Sequence, residues 1–254
     1  MTGRGDTAME KKDYLEVIAA NSEQFAAAVR RAGYDARVPT CPEWTVTNLV
    51  EHVSGVHRWV TMLFELRAEA MPDRSQVPQP PEGTDWLEWF EAGVPVLLGH
   101  LEQAGPDLPI WNWADRGPGD SSFWPRRMAH EVIIHRADAE SAAGLPSTVE
   151  PPAMAADGID EVLLFLGLRR SYDDAGAGLE GTFHFHATDT PGEWLVEITP
   201  EGVSVRREHA KAPVAVRGPA GALELFLYNR GPADDVEILG DTSLMDAWQE
   251  HFRF

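Results

Sequence analysis

The sequence predicts an α+β protein, with a four-helix bundle over residues 1–150 followed by a smaller α+β unit over residues 151–254. Three observations lead there. Apolar residues recur at helical spacing through four long segments of the first two thirds of the chain. From residue 182 the pattern changes to short segments of strand composition, separated by turns at Thr190-Pro-Gly192 and Pro200-Glu-Gly202. Between the two patterns, Gly144 and Pro146 carry the stop chemistry of a helix end, so the boundary falls near residues 146–155.

Taken in order, Asp13 can cap a first helix running to about Arg31, with Leu15, Ile18, Ala19, Phe25 and Val29 as its buried stripe and Gly33 just past its end. Thr45, with Asn48 three residues on, can cap a second helix that continues to about Ala70. The Pro- and Gln-rich stretch from Met71 to Gly83 reads as a surface connection. Thr84 or Asp85 starts a third helix to about Gln103, and its Gly93 and Pro95 predict a kink. A long loop with Trp111, Trp113, Asp115 and Arg116 follows, then a fourth helix from about Phe123 to Ala143. A fifth helix over Ala153 to Arg170 precedes the change of pattern. Strands are expected at Thr182–Ala187, Glu193–Thr199, Gly202–Arg207 and Ala212–Arg217. A helix over Gly221–Arg230, a short strand over Val236–Gly240 and a closing helix over Thr242–His251 complete the chain.

Charge limits the partners. Asp and Glu total 41 against 21 Lys and Arg, a formal net charge of −20 with no basic patch to offset it, which argues against nucleic acid and anionic membrane surfaces. The expected partner is a small molecule, with the chain as a monomer or homodimer. Cys41 is the only cysteine, so no internal disulfide can form, as suits a reducing compartment. The N-terminal Met1-Thr-Gly-Arg-Gly-Asp6 is polar, and no apolar run approaches the roughly 18 residues that span a bilayer, so a cytoplasmic protein is expected.

Glu131 and His135 are the most informative pair. Side chains at i and i+4 share one helix face, so a carboxylate and an imidazole there can touch one divalent ion such as zinc. A third ligand is needed. His130 does not supply it, because it lies five residues from His135, roughly 140° around the helix, whereas the zinc-protease motif sets its histidines four apart. His52 is the better candidate, since Leu49, His52, Val53, Val56 and Val60 fall on or near one face of the second helix; His57 is expected off that face. Spacing alone leaves the choice open between a metal site and a hydrogen-bonded core histidine beside a solvated Glu/His pair. His184 and His186 also share a face, on a strand, but the sequence shows no third ligand near them and exposed strands carry such pairs too.

Thr40-Cys-Pro-Glu-Trp-Thr-Val-Thr-Asn-Leu-Val-Glu-His52, and Arg127 with Glu131, His135, Arg136, Asp138 and Gly144, resemble the two signature segments of the mycothiol-dependent maleylpyruvate isomerase family, a branch of the DinB-like metal-binding bundles. The later run from Val214 to Arg230, followed by Val236-Glu-Ile-Leu-Gly-Asp241, resembles that family's C-terminal domain, which is similar to sterol-carrier folds. The resemblance implies His52, Glu131 and His135 as metal ligands, the trio that spacing also favours. It implies a catalytic role for Arg230 at the mouth of the active site; the alternative is a helix-end cation complementing the dipole. Asp138 can orient an imidazole or pair with Arg127 or Arg136. Cys41 precedes the helix and is expected to pack. Trp111, Trp113 and Trp124 can line a pocket or form an aromatic core.

The activity so implied is that of a zinc-dependent enzyme using a low-molecular-weight thiol, mycothiol, for isomerisation or S-transfer on a small electrophilic substrate, in an actinobacterial cell. Two rivals remain. The same ligands could activate water in a metal-dependent hydrolase, although no general base is evident beside them. The chain could also be a non-catalytic ligand-binding or regulatory module.

Overall fold

In the computed structural model, which describes residues 9–114, 117–170 and 178–252, the chain forms two compact units, residues 1–147 and 148–254. Asp115 and Arg116 of the expected long loop lie outside the described residues, as do the first eight residues.

The first unit holds four helices: α1 (Lys11–Ala32), α2 (Val46–Glu65), α3 (Trp86–Gln103) and α4 (Phe123–Ala142). α1 packs on α4 and α2 on α3. Asp13 does not cap α1. It is the third residue of the first turn and accepts from the Glu10 amide at 2.8 Å, while Glu10 caps in return, a reciprocal capping box. Thr45 and Asn48 form the expected box at α2, with the Asn48 side chain accepting from the Thr45 amide at 3.0 Å. α2 ends at Glu65, short of Ala70, because Arg67 turns to a φ of 45°. Asp85 caps α3 by accepting from the amides of Leu87 and Glu88. α3 continues as one helix through Pro95. Gly144, at a φ of 68°, stops the chain after α4 as expected.

The stretch before α4 is more ordered than a loop. β1 (Pro109–Asn112) pairs antiparallel with β2 (Gly117–Asp120), and the Trp111 amide donates to the Ala68 carbonyl at 2.7 Å. This hairpin assembles an aromatic cluster. Trp59, Trp111, Trp113 and Trp124 meet with ring centroids 5.1–6.2 Å apart, mostly edge to face, and Trp124 Nε1 donates to the Trp111 carbonyl. The tryptophans are thus packed on one another. A second apolar centre, with Phe25, Val29, Val46, Leu49, Val53 and Phe90, holds α1, α2 and α3 together, and Cys41 and Trp44 pack against its edge.

In the second unit, α5 (Pro152–Arg170) precedes a five-stranded sheet in the order β5-β4-β3-β6-β7. β3 (Gly181–Ala187), β4 (Glu193–Thr199) and β5 (Gly202–Arg206) form an antiparallel meander. β6 (Val214–Gly218) joins β3 in parallel, and β7 (Glu237–Gly240) closes the other edge. α6 (Ala220–Leu227) and α7 (Thr242–His251) complete the unit. Strand alternation sorts β3: Phe183 and Phe185 pack on Trp248 of α7, with centroids 4.8 and 5.2 Å away, which leaves His184 and His186 for the opposite face. α6 stops three residues short of Arg230, where Asn229 takes a φ of 58° and the Arg230 amide returns to the Leu225 carbonyl at 2.7 Å.

Candidate metal centre

His52 rides on α2, and Glu131 and His135 ride one turn apart on α4. Their side chains converge. His52 Nε2 and His135 Nε2 each lie 3.3 Å from the same oxygen, Glu131 Oε1, and the three ligand atoms fall within 4.8 Å of one another. The two imidazole rings meet edge to face at 4.8 Å.

The neighbours fix each donor. Arg127, one turn before Glu131, donates to its other oxygen at 2.6 Å, so Oε1 is the one left toward the histidines. Asp138 Oδ2 lies 2.9 Å from His135 Nδ1 and its Oδ1 accepts from the Thr40 hydroxyl at 2.5 Å. Asp138 is fully buried, so its carboxylate holds the proton on Nδ1 and turns Nε2 toward the centre. These contacts support the role of orienting the imidazole for Asp138. Trp44 forms a wall, its ring 5.0 Å from that of His52 and stacked 6.4 Å from that of His135.

Charge is balanced within the group. Burial opposes ionisation of Glu131, yet the facing His135 and Arg127 outweigh it and hold the carboxyl well below its usual range. Burial likewise opposes a charge on His135, but the Glu131 and Asp138 carboxylates win and push the imidazole up to about 9. An ionised carboxylate flanked by two imidazole nitrogens matches the donor set of a two-histidine, one-carboxylate catalytic zinc site.

Two histidines depart from expectation. His52 is not on the inward face: its side chain is 38% exposed at the rim of the centre, whereas His57 is fully buried against Phe90. The apolar face is centred near Val53, about 40° from His57 and about 100° from His52 at 100° per residue, so taking His52 as its middle misplaced both. His130 is buried against Tyr14 and is absent from the converging group. Helical spacing assigns no role to Thr40 or Trp44, because both precede α2. Arg230 lies beyond α6 in the second unit, where its Nη1 donates to the Tyr228 carbonyl at 2.6 Å.

The second unit holds another converging group. His184, Glu193 and His209 bring their ligand atoms within 4.8 Å of one another, so His184 has two partners that the sequence did not reveal, while His186 is outside this group.

A helical bundle that gathers two histidines and one carboxylate from facing helices, followed in the chain by a small mixed α/β unit, has the donor arrangement that bundles use to build metal sites. The mycothiol maleylpyruvate isomerase N-terminal domain model matches residues 15–140, and the C-terminal domain model of that protein matches residues 153–247. The chain therefore belongs to the mycothiol-dependent maleylpyruvate isomerase family. Among solved structures it is similar to the mycothiol-dependent maleylpyruvate isomerase and to a single-substitution variant of it, with TM-scores of 0.61 and 0.62 at 16% identity, covering 94% of this chain and 95% of those chains. No curated protein sequence matches the chain. Among the described residues, no helix is long and apolar enough to cross a membrane.

Proposed function

We propose that this protein is a metal-dependent enzyme that uses a low-molecular-weight thiol, mycothiol, to isomerise or S-transfer to a small electrophilic substrate. The observation that supports it most is the convergence of His52 Nε2, His135 Nε2 and Glu131 Oε1, with Asp138 and Arg127 orienting two of the three donors. His52, Glu131 and His135 would hold a divalent ion, for which zinc suits the donors best. Such an ion supplies Lewis acidity, lowering the pKa of a thiol so that it is a nucleophile at neutral pH without a protein cysteine.

The chain's own residues set the rest. Arg127 keeps Glu131 ionised and turned toward the histidines. Asp138 orients His135 through Nδ1, and the Trp44 ring stands against both imidazoles. Arg230, by the family resemblance, would meet a substrate carboxylate or developing oxyanion with its guanidinium fork. The thiol, having given up its proton, would add as thiolate to an alkene carbon conjugated to a carbonyl, the C=C π bond breaking as its electron pair moves onto the carbonyl oxygen. After rotation about the resulting single bond, return of that pair expels the thiolate and re-forms the double bond, a net isomerisation. Protonation of the carbon instead leaves the thioether in place, a net S-transfer.

The test incubates metal-loaded protein with mycothiol and an electrophile panel that includes maleylpyruvate and a bimane. Turnover that requires both metal and thiol, and that falls at least a hundredfold in His52→Ala and His135→Ala, is expected. Turnover equal to the enzyme-free control, or hydrolysis that needs the metal and no thiol, would overturn the reading.

A further inference from the structure

We propose that His184, Glu193 and His209 form a second binding site for a divalent transition-metal ion, held by the small sheet independently of the bundle centre. The strand register builds it. His186 pairs directly with Glu193 across β3 and β4, and His184 pairs with Leu195, which makes Glu193 the diagonal neighbour of His184 on the same face. His209 arrives from the connection between β5 and β6. All three imidazoles gather on one atom: Glu193 Oε2 lies 3.1 Å from His184 Nε2, 2.5 Å from His209 Nδ1 and 4.0 Å from His186 Nδ1.

Two further observations point to an ion. His184 is buried, and its Nε2, 3.1 Å from Glu193 Oε2, lacks the alignment of a hydrogen bond, so a buried ring nitrogen faces the cluster without a well-formed partner. Ligand atoms about 2.0–2.1 Å from a tetrahedral zinc lie roughly 3.3 Å apart, the scale of the separations found here. Only His209 is too close to Glu193 for that geometry, and its side chain is 77% exposed and has room to withdraw. His186, 39% exposed and 4.0 Å from Glu193 Oε2, stands at the rim outside the three-residue group.

The chemistry narrows the occupant. Imidazoles with one carboxylate favour Zn²⁺, Ni²⁺ or Cu²⁺ over Ca²⁺ or Mg²⁺, which take oxygen-rich cages. An ion here would tie β3, β4 and the β5–β6 connection together, closing a loop of the chain as a structural clip.

The experiment uses the full-length chain with the bundle centre removed, His52→Ala/His135→Ala, titrated with Zn²⁺ against a chromophoric chelator and with Co²⁺ followed by visible absorption. One equivalent of metal and a tetrahedral Co²⁺ band are expected to remain. Adding His209→Ala, an exposed change, should weaken that binding at least a hundredfold while far-ultraviolet circular dichroism stays unchanged; His184→Gln should do the same. No metal retained by the double variant would overturn the proposal. So would a retained equivalent whose affinity is indifferent to both His209→Ala and His184→Gln.

Discussion

At the scale of single residues, the centre is set less by its three donors than by what holds them. Asp138 is fully buried, 2.9 Å from His135 Nδ1, and is itself held by Thr40. Asp138→Asn keeps the shape but offers the imidazole a weaker acceptor, so the bundle centre should lose about 10–100-fold in metal affinity. The measurement is a chelator competition in a His209→Ala background, so that one site is counted; an unchanged constant would remove Asp138 from the centre's support. His57 makes a different prediction. Burial drives its imidazole down to about 4, further lowered by His135 and Arg58 against the pull of Glu131, and its ring nitrogens have no hydrogen-bond partner among the described residues. The unfolded chain takes up a proton near pH 6.5 that the folded chain refuses until about 4. Stability is therefore lost as pH falls across that interval, by on the order of 3 kcal/mol at 1.36 kcal/mol per pKa unit. His57→Leu should flatten this limb in urea titrations at pH 7 and pH 4.5, and parallel losses in both proteins would show that another group carries it.

At the scale of elements, His52 depends on how α2 begins. The Thr45/Asn48 box closes the first turn, with the Asn48 side chain accepting from both the amide and the hydroxyl of Thr45 at 3.0 Å. Asn48→Ala should cost about 1 kcal/mol in denaturant unfolding. Because His52 sits one turn further on, metal affinity should fall only a fewfold, and a collapse of binding would mean that the cap positions the ligand directly. That box was legible in the sequence because a capping box is a local pattern, as was the Gly144 stop. Asp13 was legible as a helix start but not as the third residue of the turn, since Glu10 reads as an ordinary acid until the backbone places it. The β1–β2 hairpin was not legible: Gly-Pro-Gly-Asp has no strand propensity, and the pairing is stabilised from outside by Ala68 and Trp124. The same distinction separates Glu131 and His135, which spacing joined, from Thr40, which meets Asp138, and Trp44, which stacks on His135, only through the tertiary fold.

At the scale of the whole molecule, the net charge of −20 sets a background that raises the local concentration of cations and repels anionic polymers. Against that background, an ion held by the proposed bundle centre would link α2 to α4, and its binding free energy would add to the stability of the first unit, residues 1–147. Metal at about 100 times its dissociation constant should stabilise the fold by about 2.7 kcal/mol, or roughly 5–10 °C for a unit of this size. Calorimetry of the His209→Ala protein, with zinc and after chelation, isolates this contribution from the second cluster. The shift should vanish in His52→Ala/His209→Ala, where the link from α2 is cut while Glu131 and His135 remain on α4. If zinc raised the melting temperature of that variant by the same amount, the stabilising ion would be bound by α4 alone or elsewhere, and the two-helix centre would be refuted on thermodynamic grounds independent of any assay of activity.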